Sequence, residues 1–281
     1  MIGIIVVVLY PVLNVIAISF SSPLYIGRGD VTIFPRGFNT QAYEYVLRDT
    51  TVWIGYRNSI IYALGSTFFM LLFTSMFAYP LATQDFILKK FLVVFLAITM
   101  FFGGGLIPTF LLIRNLGLIN SPWVLILPWT VGAWNVFVFR TFFQNIPSEL
   151  IESARIDGAN DLVILFIIVL PLSKALLATF GLFGIVGSWN SWFNALIYLT
   201  DTNLYPLQLI LREYLYVIDT QQLQARAGMG GGAANPALIQ QLAPRSVQMA
   251  MVVVTMFPIM VIYPFFQKYF VKGVMIGAIK G

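Results

Sequence analysis

The sequence predicts an all-α polytopic membrane protein with six transmembrane helices. Of its 281 residues 59% are hydrophobic and only 10% are charged, against about 25% charged in a soluble domain. Mean hydropathy is +0.87. Apolar runs recur at lengths close to the ~20 residues that a bilayer core requires. Six such runs are read, at about 2–20, 59–83, 91–113, 123–143, 162–189 and 247–266, within a single membrane domain over residues 1–281 that has no convincing internal repeat.

The first run begins at Met1 with no basic leader and ends without a small-residue cleavage site. It is therefore expected to be a span, interrupted by Pro11, rather than a cleavable signal. The third run holds Gly103-Gly104-Gly105 and then Pro108, the fourth Pro128, the fifth Pro171, and the sixth Pro258 and Pro264. Proline removes an internal hydrogen bond and bends a helix. Broken helices are tolerated in a membrane where they face protein or a water-filled cavity. Between the spans, loops 21–58, 114–122 and 190–246 fall on one side, and 84–90, 144–161 and the tail from Gln267 on the other. The long 190–246 loop carries a Gly-rich stretch over 226–236, and before it Leu204–Tyr216 is expected as a short helix at the outer surface.

Orientation follows Lys and Arg. Each side has a similar number, but the second concentrates its charges in short loops and holds every Lys (Lys89, Lys90, Lys174, Lys268, Lys272 and Lys280). That side is assigned to the cytoplasm. The outward loops carry Arg and no Lys. A guanidinium can hold a carboxylate through two parallel hydrogen bonds, so this bias points to an anionic ligand or an acidic partner, or else reflects composition alone.

Several chemistries are missing. There is no Cys and no His, which removes disulfides, thiol nucleophiles and the commonest proton shuttle. No Asp or Glu falls inside a span, so nothing can run a carboxylate relay across the membrane. No G-x-x-x-x-G-K-[ST] loop is present. The chain is therefore expected to be no enzyme, with no catalytic residue, no metal site and no cofactor of its own, and with its energy supplied from outside. Trp134 and Asn135 in the fourth span, and Trp189, Asn190 and Asn194 near the outer end of the fifth, are the candidate lining of a substrate path. Aromatic faces with amide donors suit sugar rings, although an interfacial aromatic belt would also account for tryptophans.

The stretch 147–158 is expected to be a short amphipathic helix. Pro147 suits a first turn and Gly158 a left-handed stop. At 100° per residue, Leu150, Ile151, Ala154 and Gly158 share one face, while Glu149, Glu152, Ser153 and Asp157 share the other with Arg155 at its edge. Ile156 lies among the polar residues, where it would fit a pocket on a partner.

From Glu152-Ser153-Ala154 through Gly158, Ile168, Leu170 and Pro171, this stretch resembles the "EAA" loop of bacterial ABC-importer permeases, with Ser153 the single departure. The resemblance extends over nearly the whole chain. It is to the carbohydrate type, similar to the second permease subunit of the maltose importer and to the branch serving oligosaccharides, including alginate and pectin oligouronides. It implies a type I importer permease fold in the bacterial inner membrane, with 147–158 as a cytoplasmic coupling helix. ATPase contacts are implied at Glu149, Glu152, Ser153, Ala154, Arg155, Ile156, Asp157, Gly158 and Ala159, and along a cytoplasmic C-terminal tail at Gly277 and Lys280. The implied partners are a second permease subunit in a heterodimer, two ATPase subunits that bind ATP and Mg, an extracytoplasmic solute-binding protein and the lipid bilayer, with no nucleic acid. An ABC importer for amino acids or another small solute, an ion-coupled secondary carrier and a membrane scaffold stay as alternatives.

Overall fold

The computed structural model describes residues 2–83, 86–216 and 243–278. The Gly-rich part of the long 190–246 loop lies outside the described residues. The chain forms two compact units. One combines Met1–Ser59 with Asp201–Val261, and the other combines Ile60–Thr200 with Ile262–Gly281.

The first unit starts with α1 (Ile2–Ser19), which carries Pro11 inside it. The stretch expected as a loop over 21–58 is built from short helices. In α2 (Pro23–Arg28), proline sits in the first turn and Gly29 closes the helix at φ 74°. In α3 (Gln41–Arg48), Ala42 and Val46 are buried. Phe20 stacks on Phe38 and Tyr43, with ring centroids 5.5 and 4.5 Å away. Asp49 then caps α4 (Thr50–Ala82). Its carboxylate accepts from the Thr51 amide at 2.9 Å and the Thr51 hydroxyl at 2.7 Å, the N-cap arrangement that satisfies a free N–H of the first turn. This cap starts α4 at Thr50, well before the expected span limit at Ser59.

The Tyr214 hydroxyl also donates to Asp49. Burial disfavours the Asp49 carboxylate, but the hydrogen bonds from Tyr214 and Thr51 outweigh it and hold its pKa below the ordinary value. Burial and the same carboxylate push the Tyr214 phenol up. Tyr214 belongs to α5 (207–216), which follows a 3₁₀ turn at Thr202–Leu204. The short helix expected from Leu204 thus begins three residues later, after Pro206. Leu207 and Leu209 are fully buried. Asn58 donates to the carbonyls of Asn203 and Tyr205 at 2.7 and 3.1 Å, and the Leu207 amide donates to Ser59 Oγ at 2.8 Å. The last helix, α6 (Ala243–Ala278), runs without interruption past Pro258 and Pro264.

In the second unit the helices are broken. The expected span 91–113 is two helices, Lys89–Phe101 and Leu106–Asn115, at 120° to each other. The break lies at Gly103–Gly105, where Gly105 adopts φ 80°. The expected span 123–143, with Pro128 inside it, is a short helix, Trp123–Ile126, and a longer one, Ala133–Gln144. Pro128 interrupts the first, and Gly132 is extended ahead of the second. The expected span 162–189 is Asp161–Leu172 and Lys174–Trp189, bent by 84°. Before that bend, Ile164–Val169 winds as a π-helix. Pro171 has no N–H to return to the carbonyl of Ile167, and at the bend the Val169 carbonyl accepts from both the Ser173 amide at 3.0 Å and Ser173 Oγ at 2.6 Å. Among the described residues two helices, Thr50–Ala82 and Arg245–Pro264, are long and apolar enough alone to cross a membrane, or four if each bent pair is one span; Gly3–Ser19 is a shorter apolar helix.

The core of this unit joins Tyr79 and Leu81 of α4 to Phe139, Phe143, Ile164, Val169 and Phe180. α4 passes close to Lys174–Trp189, since a Cβ on Gly184 would lie 2.8 Å from Thr67 Oγ1 and from Met70 Cε.

Gly55 serves the same purpose in the first unit. A Cβ there would lie 2.5 Å from Ile210 Cδ1 and 3.2 Å from the Leu207 backbone. Gly55→Val is expected to force α5 away from α4 and to destabilise the unit by about 1–3 kcal/mol, the usual cost of overpacking. Thermal unfolding of the detergent-solubilised protein measures this, and an unchanged midpoint would refute the close packing.

Candidate functional site: the exposed helix Ser148–Ile156

The amphipathic stretch folds as a helix, Ser148–Ile156, here α7. Pro147 is not in its first turn, as expected from sequence, but immediately before it, at φ −54° and ψ 129°. Its extended ψ turns the chain into the helix from Ala133–Gln144. Glu149 lies in the first turn and Arg155 in the last, each opposite in sign to its end of the helix dipole.

The stop is at Gly158, which adopts φ 86°. The Gly158 amide donates to the Arg155 carbonyl at 3.0 Å and the Ala159 amide to the Ala154 carbonyl at 2.9 Å. These two bonds form a Schellman ending, which needs a left-handed residue at this place. The turn leads directly to Asn160, whose side chain accepts from the Val163 amide at 2.9 Å and caps the next helix.

One face of α7 packs on the core through small or medium side chains, namely Ile151 and Ala154, followed by Ala159 beyond the turn. Leu150 departs from the expected face. It is 45% exposed and absent from the core contacts. Glu149, Glu152, Ser153, Arg155, Asp157 and Gly158 are exposed. Ile156 is 86% exposed.

Arg155 pairs with Asp161 across the turn at 3.2 Å. The buried Tyr79 donates its hydroxyl to the same carboxylate oxygen at 3.4 Å. Beside α7 lies a cavity of about 540 Å³, lined among others by Thr83, Lys89, Gln144, Ile151, Glu152 and Arg155. At its rim the end of α4 is held by two cations. Arg140 Nε donates to the Leu81 carbonyl at 3.1 Å, and Lys89 Nζ to the Thr83 carbonyl at 2.7 Å. Cations suit the carbonyl end of a helix. Asp161, Tyr79 and Arg140 were not foreseen as site residues. Arg155 and Asp161 are six apart in sequence, a separation that no single helix places side by side. Only the Gly158 reversal brings them together.

The candidate path residues occupy separate elements. Trp134, 66% exposed, and the half-buried Asn135 open Ala133–Gln144. Asn190 is exposed at the end of Lys174–Trp189, and Asn194 is half-buried in Phe193–Tyr198. Trp189 is 3% exposed and packs inside the unit, contrary to a path-lining position. Gly277 is in the last turn of α6, and Lys280 lies outside the described residues.

An apolar chain of broken helices that leaves one short amphipathic helix exposed between two of them is a membrane transport subunit. The chain belongs to the family of binding-protein-dependent transport system inner membrane components, whose pattern it matches over residues 4–276. It is 38% identical over 271 residues to the polygalacturonan/rhamnogalacturonan transport system permease protein YtcP of Bacillus subtilis (strain 168), covering 96% of this chain and 92% of the relative. It is 37% identical over 277 residues to Protein LplC of the same organism, covering 98% and 90%. Its fold matches a crystal structure of a bacterial ABC transporter involved in the import of the acidic polysaccharide alginate, with a TM-score of 0.84, 30% identity, and coverage of 96% of this chain and 93% of that one.

The ending at Gly158 gives a direct test. A Cβ there would meet nothing within 4 Å, so any effect of a side chain comes from the backbone conformation alone. Gly158→Ala is expected to cost about 1–2 kcal/mol, the price of a left-handed residue with a Cβ. Exchange of the Ala159 amide should then rise roughly 5- to 30-fold. Unchanged exchange would show that the turn is not the stop.

Proposed function

We propose that the chain is the permease subunit of an ATP-driven importer for oligosaccharides, acidic ones in particular, with Ser148–Ile156 as its coupling helix. The observation that carries the reading is Ile156, 86% exposed on an otherwise charged helix face. Burying such a side chain in a partner yields about 1.5–3 kcal/mol. The matched family and the relatives named for pectic and alginate transport support the cargo class. The outward Arg residues support its charge, since guanidinium groups recognise carboxylates.

On this reading the chain crosses the inner membrane six times, counting each broken pair as one span, with α7 and the C-terminus in the cytoplasm. It pairs with a second permease subunit, two ATPase subunits that carry ATP and Mg, and an extracytoplasmic solute-binding protein. Closure of the ATPase pair draws the coupling helices together and opens a translocation path between the two permease subunits outward, where the binding protein releases sugar. Hydrolysis resets it. Trp134, Asn135, Asn190 and Asn194 are the residues of this chain proposed to face the sugar, and Gly277 and Lys280 belong to a tail along the ATPase.

Two measurements test the reading. Ile156→Asp should weaken ATPase attachment roughly tenfold to hundredfold, as loss of one buried aliphatic side chain implies. Co-purification at the wild-type level would overturn the docking role. ATP hydrolysis by the reconstituted complex with its binding protein should be stimulated by alginate or pectin oligomers. Stimulation by neutral malto-oligomers alone would discard the acidic substrate and keep the importer.

A further inference from the structure

Asp161 is the one carboxylate among the described residues that is bonded to both α7 and α4. Its oxygen takes a guanidinium N–H of Arg155 at 3.2 Å and the Tyr79 hydroxyl at 3.4 Å, and the Arg155 guanidinium also bonds the Tyr79 hydroxyl directly, so the three side chains form one cluster. The two partners differ in freedom. Arg155 and Asp161 have 40% and 67% of their side-chain surface exposed, whereas Tyr79 is 5% exposed in the core. The ring of Tyr79 therefore moves with α4, while Arg155 moves with α7. An ion pair so open to solvent contributes little to stability. What it does supply is direction, because the carboxylate accepts from two elements at a single oxygen.

The end of α4 is itself anchored. Arg140 and Lys89 hold its last carbonyls from two other helices. A displacement delivered to Asp161 thus meets a fixed set of bonds rather than a frayed end. Directly after Asp161 the chain enters the π-helical turn and the bend at Ser173, so the same residue stands at the start of the broken helix that follows.

We propose that Asp161 is a positioning residue for ATP-driven transport, linking the coupling helix through Arg155 to the membrane helix α4 through Tyr79. This rests on the coupling-helix reading above. It adds that α4 is driven by a carboxylate strut, and not solely through the apolar contacts of Ile151 and Ala154.

The test uses the complete reconstituted transporter. Tyr79→Phe keeps the ring and its packing and removes the hydroxyl's bonds to Asp161 and Arg155. Asp161→Ala removes both bonds at the carboxylate. Each should leave the ATPase attached and hydrolysing ATP, while sugar taken up per ATP falls by roughly 2- to 30-fold, the range over which residues along a coupling route act. The double variant should lose less than the sum of the two single losses, because both changes break the Tyr79–Asp161 bond. Asp161→Glu, which can still accept both bonds, should recover part of the ratio. An unchanged ratio in Tyr79→Phe, or fully additive losses, would overturn the strut. The two readings fail separately. If Ile156→Asp detaches the ATPase and Tyr79→Phe leaves the ratio intact, only the strut is wrong. If Ile156→Asp leaves the ATPase attached, the coupling helix itself is wrong.

Discussion

The left-handed turn at Gly158 is the constraint on which the cytoplasmic half of the proposed mechanism depends. Without φ 86° at that residue, α7 could not end in paired bonds to Arg155 and Ala154, and Ala159 could not fold back onto the core beside Ile151 and Ala154. The same reversal brings Arg155 to Asp161 and places Asn160 to cap the next helix. A non-glycine residue would hold this conformation only at a cost. One residue thus sets where α7 ends, which face it buries and what its last basic side chain can reach.

A second regularity concerns backbone groups freed at helix ends and breaks. In an apolar setting each unmet N–H or C=O is expensive, so irregular backbone must be satisfied within the protein. The described residues do this with side chains. Asn58 serves the carbonyls of Asn203 and Tyr205. Arg140 and Lys89 serve the end of α4. The Asp49 carboxylate serves its beginning.

This division explains what could be read from sequence. The helix at Ser148–Ile156, its stop at Gly158 and the exposure of Ile156 follow from local signals, namely helical period, a glycine and one misplaced aliphatic residue. Gly103–Gly105 also marked its break. The features that escaped depend on tertiary placement. The α4 start at Thr50 needs the Asp49 cap, and the burial of Trp189 depends on what packs around it. Leu150 shares the apolar arc of α7 by angle, yet the core reaches only as far as Ile151 and Ala154. The interruption between Trp123–Ile126 and Ala133–Gln144 was signalled by Pro128, but proline alone does not say whether a helix bends or ends. In α6 the helix passes through two prolines unbroken.

The way α7 is held argues for its role more strongly than its exposure does. A helix kept only for structure would bury its large side chains, yet in α7 none is buried: Ile151 and Ala154 are half-buried against the core, and Leu150 and Ile156 stay exposed. Small contacts allow an element to shift without opening large cavities, because the cost of a gap grows with the volume left behind. An apolar side chain left in water loses the free energy its burial would yield, and that loss is recovered only if a partner covers it. A lightly packed inner face, a tightly set end at Gly158 and an aliphatic residue turned outward together describe a lever. On the proposed coupling role, Ile156 is the grip, the Schellman ending keeps the helix end from fraying, and the bonds of Arg155 and the chain that follows Gly158 lead inward.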